Sequence, residues 1–535
     1  MQGTEKRILI AIVLSVLVLI IYPFMFPPPV VPPPPKNQQT EQPPQKKTET
    51  GALQKTEAVE IPGEMGKEEK TITVETDLYK AIFSNRGGVI RHWELKQYWA
   101  DLKKTRNIVL FDPGETTVSA YPFNVTVSDA ELNKLIQNGL FSVEGGDVHL
   151  SSTNPTGSIL FTLIDPVSSK GIKKAITFYN DSYKVDVEIT PVNISGNYTV
   201  STGSNFGISE WGEEKIVGFV GSTTMIGTKV IKDKVSKIIG PVAHEGDVKW
   251  TGVQDKYFIA ALVPKDSINK VIVRKSADKD VQSEMEVPEG QKTSFMLYAG
   301  PKEYERLKAL GVGLDHSISF GWFIVWELSI ISGLARGLFY LLQLFYRLSH
   351  NYGISIILIT MVVRAVLAPL TYKSFKSMKD MQKLQPEIQK LQKKYKDNRA
   401  EMNKVLMELY KTHKVNPLGG CLPMVLQLPV FIGLYNLLAN TIELRHSPFL
   451  LWVNDLSVKD PYYVLPIIMG ITMLVQQKMT PSTVDPTQAK IMLIMPVMFT
   501  FFFLNFPSGL VLYWMVNNLL TIGQQYATTK YFSKK

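Results

Sequence analysis

The chain predicts two fold classes in one polypeptide: a polytopic α-helical membrane domain with six transmembrane helices, and a large all-β outer domain. Three observations predict this. Apolar runs of membrane-spanning length fill most of the C-terminal half. Alternating apolar and polar residues occupy about 71–299. A proline-rich stretch separates that region from a single apolar run at the N-terminus. Averaged over these parts, apolar content is 45% and mean hydropathy is +0.02.

The N-terminal run from Ile8 to Phe26 would be about 28 Å long as a helix, and Lys6 and Arg7 precede it. A cleaved signal would end in small residues, whereas this run ends in Phe26 followed by Pro27, Pro28 and Pro29. Residues 1–28 therefore read as an uncleaved anchor. Residues 29–70, with Pro32 to Pro35 and then Gln, Lys, Glu, Thr and Pro, read as a stiff polyproline spacer grading into a disordered tether.

From Thr71 onward, runs such as TITVETDLYKAIFSN, KKAITFYNDSYKVDVEITPVN and KTSFMLYAG alternate apolar with polar residues between Gly, Pro, Asn and Asp. So many short strands predict an antiparallel sandwich domain over 71–315. Its histidines (His92, His149, His244 and His316) are scattered, and H-E-x-x-H, G-x-S-x-G and P-loop patterns are missing from the whole sequence. No catalytic residue, metal site or cofactor is expected. The single cysteine, Cys421, excludes an intramolecular disulfide.

Pro301 to Gly311 reads as a short linking helix. Phe320 to Leu348 is apolar enough to span, but Glu327 and Arg336 interrupt it, and Trp322, Phe323 and Trp326 cluster at one end. Parity decides the matter: a spanning segment here would place the basic loop that follows outside. Residues 316–350 are therefore assigned to an amphipathic helix on the outer membrane surface.

Five spans follow within 351–530, at about 352–372, 418–439, 462–477, 490–505 and 509–526. With the anchor they make six, so both termini, including the basic tail 531–535, face the cytoplasm. Between Lys373 and Lys414 lie twelve Lys/Arg against five Asp/Glu, a net +7 out of the +10 of the chain. That is the signature of a cytoplasmic loop, able to hold anionic lipids; it lacks the interleaved aromatics of a nucleic-acid site. Within 373–416, Met381, Leu384, Ile388, Leu391 and Tyr395 form one helical stripe, and Met402, Val405, Leu406, Leu409 and Tyr410 a second. They predict an antiparallel helical hairpin turning at 396–399 and kinked or restarted at Pro386.

Arg364 carries the functional signal. It is the one charge in ISIILITMVVRAVLAPLTY, residues 354–372, and the later spans contain no Asp or Glu. Placing a guanidinium in hydrocarbon costs at least about 2.5–3.5 kcal/mol, which marks a functional site by default. Snorkelling to the interface is the plain alternative. Thr360 and Thr371 fall on nearly the same face, which favours a hydrated groove. On later spans Gln427, Phe431 and Tyr435 recur at four-residue spacing with Leu428 beside them, and Asn517, Thr521, Gln524, Gln525 and Thr528 make a polar stripe on the last span. Met492, Met495, Met498, Phe499, Phe501, Phe502 and Phe503 line the fifth span, which suits either an adaptable apolar track or an ordinary lipid-facing surface.

The segments around Arg364, KLQPEIQKLQKKY, YKTHKVNPLGGCLPMVLQLPVFIGLY, DPYYVLPIIMGITMLVQQKM and FPSGLVLYWMVNNLLTIGQQ together resemble the YidC family of membrane protein insertases, in its long Gram-negative form. The resemblance implies an inner-membrane location, a periplasmic β-supersandwich similar to sugar-mutarotase folds, and a hydrophilic groove open to cytoplasm and lipid but closed to the outside. The groove would be lined by Arg364, Thr360, Gln427, Leu428, Phe431, Tyr435, Tyr513, Trp514, Asn517, Thr521 and Gln524. Trp514 departs from the tyrosine common in relatives. The implied activity is ATP-independent insertion and chaperoning of nascent membrane proteins, alone or with the Sec translocon. Ribosome, targeting factors and anionic lipids would meet the cytoplasmic face, and no specific nucleic acid is expected. The alternative from the residues is a small-anion transporter using Arg364, but inverted repeats and broken helices are not visible. A sugar-modifying enzyme in the outer domain lacks a nameable catalytic constellation.

Overall fold

The computed structural model describes residues 64–111, 121–204, 206, 219–277, 280–318, 329–395, 398–413, 415, 422–479 and 486–533. The expected anchor, most of the tether, Trp322, Phe323, Trp326, Glu327 and Cys421 lie outside them.

Nineteen strands among the described residues form three sheets. The largest runs in the spatial order Lys229–Lys234, Gly221–Ile226, Val248–Gln254, Phe258–Pro264, Thr293–Pro301, Lys184–Val192, Gly171–Tyr179, Thr156–Ile164 and Ser142–Glu144. Two five-stranded sheets complete the domain. Pairing is antiparallel with one exception, the parallel contact of Val74 with Val148. Period-two burial drives the layering: Val185, Val187 and Ile189 are buried while Lys184, Asp186 and Glu188 are partly exposed. Tyr79 stacks on Trp93 at 4.2 Å within this core.

One strand breaks the apolar-in rule. Lys174 is fully buried, and its Nζ donates to the carbonyls of Gly87, Gly88 and Phe123 at 2.7, 3.1 and 2.9 Å. Three donors meeting three acceptors offset part of the desolvation cost. Burial nevertheless pushes the amine down to about 7.

Ten helices accompany the strands among the described residues: α1 (Ala130–Asn138), α2 (Tyr304–Ala309), α3 (Ser329–Ser349), α4 (Tyr352–Lys383), α5 (Gln385–Lys394), α6 (Arg399–Thr412), α7 (Leu422–Asn440), α8 (Val464–Met479), α9 (Pro486–Phe503) and α10 (Ser508–Ser533). By length and hydropathy, α4 can cross a membrane; Val464–Met479 and Ile494–Phe503 are shorter apolar helices. Asn351 caps α4 by accepting from the Ile354 N–H, and the helix passes through Pro369 without ending. At 32 residues it measures about 48 Å, more than the roughly 30 Å hydrocarbon core. Lys373 to Lys383 therefore prolong the apolar helix, instead of forming a separate first arm of the hairpin. The break comes at Leu384, because Pro386 in the first turn of α5 has no N–H to continue the ladder.

The hairpin stripes face each other. Met381, Leu384 and Ile388 are buried against Leu406, Leu409, Tyr410 and Val415. Leu391 is half-buried and borders a shallow groove with Val405 and Leu409, and Met402 is also half-buried. The apolar surface that the sequence would display outward is largely spent on internal packing, and Met407 is the one large apolar side chain of α6 left well exposed.

Close approaches fix the bundle. A Cβ on Gly470 would lie 2.0 Å from Thr500 Oγ1, so α8 and α9 pack backbone to side chain. On α4, a Cβ on Gly353 would meet the Phe449 ring at the same distance. Phe449 belongs to the loop after α7 and its carbonyl accepts from the Asn351 amide. α3 packs on α4 and α7, and its buried face (Ala335, Leu338, Phe339, Leu342) opposes exposed Tyr340, Leu344 and Leu348, as an amphipathic helix requires.

The β domain meets the helices at the loop after α7 and at α3. Arg445 donates to the carbonyls of Trp99, at 2.7 Å, and Ala100, and lies over the Tyr257 ring. Tyr304 of α2 packs edge-on against Phe339 of α3. Beside Arg445, Glu443 retains some exposure, yet burial pushes its carboxyl up to about 8, and Glu303 and Glu305 add to the shift. A carboxyl raised in the folded state favours folding at low pH, and that contribution is lost as pH rises toward 8. Glu443→Gln should therefore raise the unfolding temperature at pH 8 by about 2 °C, with no gain at pH 5. Thermal unfolding of the detergent-solubilised protein at the two pH values checks this.

Candidate functional site: a polar seam between apolar helices

Arg364 and the last helix make the site. Arg364 is half-buried on α4. Its Nε donates to Asn517 Oδ1 at 2.7 Å and its Nη2 to the Asn517 backbone oxygen at 3.3 Å. Among the described residues it forms no ion pair. The guanidinium is thus held by an amide dipole, with its charge left uncompensated.

Below this pair the seam continues toward the hairpin. Thr521 Oγ1 donates to the Asn517 carbonyl at 2.6 Å, and Gln524 Nε2 to the Ala368 carbonyl of α4 at 3.4 Å. Helical period explains the alignment, because positions 517, 521 and 524 return to one face. Across the seam, Gln427 of α7 donates to the Tyr513 hydroxyl. α7 packs mainly on α3 and touches α4 and α10 over short stretches. α4 and α7 therefore lie against each other over only a short stretch, and beside it Leu428 of α7 and Met361 of α4 are exposed.

Toward the end where α9 and α10 are joined, the seam turns aromatic. Phe431 meets Trp514 edge-on at 4.9 Å, Phe503 sits 5.2 Å from Trp514, and Tyr435 packs on Phe506 at 5.9 Å. Phe499 stacks on Trp514 from the other side. Trp514 is thus a ring at the centre of an aromatic cluster, which accounts for an indole where a phenol would serve less well as filler.

Three sequence-based placements need correction. Thr360 is fully buried and its hydroxyl bonds back to the Ile356 carbonyl at 2.6 Å, so it points into helix packing and not into the seam. Thr371 likewise bonds to the Leu367 carbonyl; a threonine in an apolar helix satisfies itself this way. The polar stripe of the last span is two stripes. Asn517, Thr521 and Gln524 face α4, whereas Gln525 donates to the Met479 carbonyl at the end of α8, and Thr528 back to Gln524. The α9 track also divides: Met495, Met498, Phe501 and Phe502 are exposed, while Phe503 is buried in the aromatic cluster. The side chain of Met492 lies outside the described residues.

Asn518 and Asn436 escaped the sequence reading. Asn518 Nδ2 donates to Thr472 Oγ1 at 3.2 Å, pinning α10 to α8; two adjacent asparagines on a helix diverge by about 100°, and that was the available signal. Asn436 is buried with both amide atoms unpartnered among the described residues.

Comparison with known proteins divides the chain into the same two parts. Residues 344–535 match the family described as 60Kd inner membrane protein, and residues 71–340 match the YidC periplasmic domain. A Membrane protein insertase YidC from Geotalea daltonii is 42% identical over 97% of this chain and 98% of its own length. One from Syntrophus aciditrophicus is 40% identical over 88% and 87%. The chain belongs to the YidC family. Its β domain is the YidC periplasmic domain and its helical part the inner-membrane part. The crystal structure of an active YidC insertase with its first transmembrane domain resolved is 22% identical, covering 87% of this chain and 94% of that one, with a TM-score of 0.37.

Packing at the aromatic cluster yields a direct expectation. Trp514→Ala should destabilise the protein by about 3 kcal/mol through the cavity it leaves, and Trp514→Phe by less than half as much. Thermal unfolding in detergent measures both.

Proposed function

We propose that this chain inserts nascent membrane proteins into the inner membrane, using the seam around Arg364 as a hydrated receiving groove. One observation carries the reading: a half-buried guanidinium held by a neutral amide, between apolar helices, with no ion pair to a carboxylate among the described residues. Such a charge is stable only where water reaches it or an anion arrives. The family to which the chain belongs and the names of its relatives support the same activity.

The six-span topology follows from the same reasoning. Five spans (α4, α7, α8, α9 and α10) and the anchor expected over residues 8–26 place both termini in the cytoplasm and the β domain in the periplasm. The basic stretch of α4 beyond Lys373, with the hairpin α5–α6, then lies on the cytoplasmic side. There it offers cationic surface to anionic headgroups and to the ribosome or targeting factors, while the Sec translocon shares clients with the membrane part.

Insertion in this scheme needs no ATP. A client's short polar outer segment enters between α4 and α7, where Arg364, Gln427, Asn517, Thr521 and Gln524 reduce its desolvation cost. The aromatic cluster of Phe431, Tyr435, Trp514, Phe499 and Phe503 closes the outer end. The client's apolar segment leaves sideways along α7 and the exposed Met495, Met498 and Phe501 of α9. Arg stays protonated at any useful pH, so Arg364 acts as an electrostatic receptor and not as a proton carrier.

Purified protein in liposomes, given single-span clients with acidic or neutral outer segments, tests the proposal. Insertion should occur without other factors. Arg364→Ala should reduce acidic-client insertion by about tenfold, equivalent to about 1.4 kcal/mol, and neutral-client insertion far less. Restoring an arginine at half-exposed position 368 should recover part of the loss, whereas one at buried position 360 should not. Equal impairment of both client types contradicts the receptor role.

A further inference from the structure

We infer that Asn517 sets client specificity by occupying one edge of the Arg364 guanidinium and presenting the other to the groove, selecting a client carboxylate bound end-on. This rests on the insertase reading above and assigns the recognition geometry within that groove.

A guanidinium offers two forked edges. The side-on edge consists of Nε–H and the neighbouring N–H of Nη2; the end-on edge consists of Nη1 and the remaining N–H of Nη2. Asn517 takes the whole side-on edge, with Oδ1 on Nε at 2.7 Å and the backbone oxygen on Nη2 at 3.3 Å. No acceptor meets Nη1 among the described residues. Either fork can hold the two oxygens of a carboxylate through parallel N–H groups, and with the side-on fork taken the end-on fork is the one left to do so.

The clamp is itself anchored. Thr521 Oγ1 donates to the same Asn517 carbonyl at 2.6 Å, and Asn517 is nine-tenths buried, so little rotational freedom remains to the pair. An amide suits this place for an electrostatic reason. An aspartate would accept the same two hydrogen bonds and cancel the positive charge, so no drive would remain to bind an acidic segment. An apolar residue would leave the guanidinium free to turn its side-on edge outward or to snorkel away. Asparagine fixes direction while preserving charge. Asn517 is thus a positioning residue, acting through Arg364.

The test is the ratio of acidic-client to neutral-client insertion by the full chain in liposomes, with the two clients differing only in Asp and Glu against Asn and Gln in the outer segment. Asn517→Asp should lower this ratio about tenfold, to the level of Arg364→Ala, because its carboxylate pairs with Arg364. Asn517→Ala should lower it about threefold. In an Arg364→Lys background, where no planar fork exists to be oriented, Asn517→Ala should leave the ratio where Arg364→Lys alone puts it. If Asn517→Ala depresses both clients equally, or acts as strongly in the Lys background as in the Arg background, Asn517 only pins α10 to α4 and the inference is overturned. If Arg364→Ala itself leaves the ratio unchanged, the receptor reading fails instead, which separates the two failures.

Discussion

An unpaired guanidinium among apolar helices is the constraint around which the membrane part is built. In hydrocarbon the charge would destabilise its helix by several kcal/mol. Three features of the structure meet that cost. The Asn517 amide supplies oriented dipoles. α7 touches α4 over only a short stretch, which in the proposed groove leaves room for water. Aromatic rings pack one or two turns away toward the α9–α10 turn, and in the proposed topology they close the periplasmic end. In that scheme a closed α4–α7 contact would bury the charge dry, and an open outer end would leak.

Rigidity comes from contacts away from the seam. α10 is clamped on one face to α4 through Asn517 and Gln524, and on the adjacent face to α8 through Asn518 and Gln525. Gly470 lets α8 close on α9, and Phe449 wedged on Gly353 ties the loop after α7 to the start of α4. Ser508 and Gly509 at the α9–α10 turn donate backbone N–H groups to Val458 and Leu456 of that same loop. Arg445 extends this frame to the β domain. The periplasmic domain therefore meets the bundle through the loop that also braces its outer end, away from Arg364.

Patterns set by local chemistry were readable in the sequence. Period-two alternation located the strands, a single charge in an apolar run located Arg364, and the Gln427, Phe431 and Tyr435 spacing located the α7 face of the seam. What escaped depended on tertiary direction. Thr360 and Thr371 share a face with Arg364 on a helical wheel, but a hydroxyl in an apolar helix can bond its own backbone, and packing decides which face is buried. Gln525 neighbours Gln524 and serves another helix. The hairpin stripes report amphipathicity without naming what covers them, and the two arms cover each other. Lys174 in the sheet core is invisible to periodicity, since it needs three carbonyls from distant turns.

Whether water reaches the seam from the cytoplasmic side alone decides the account. A Cys421→Ser chain carrying Ala368→Cys, one turn inward of Arg364, can be treated with a membrane-impermeant thiol reagent in vesicles of either orientation; only a hydrated thiol ionises and reacts. The account predicts labelling at position 368 when the cytoplasmic face is exposed and none from the periplasmic face, with lipid-facing Val366→Cys unreactive from both. Failure to label position 368 from the cytoplasmic face, or labelling from the periplasmic face, would contradict it.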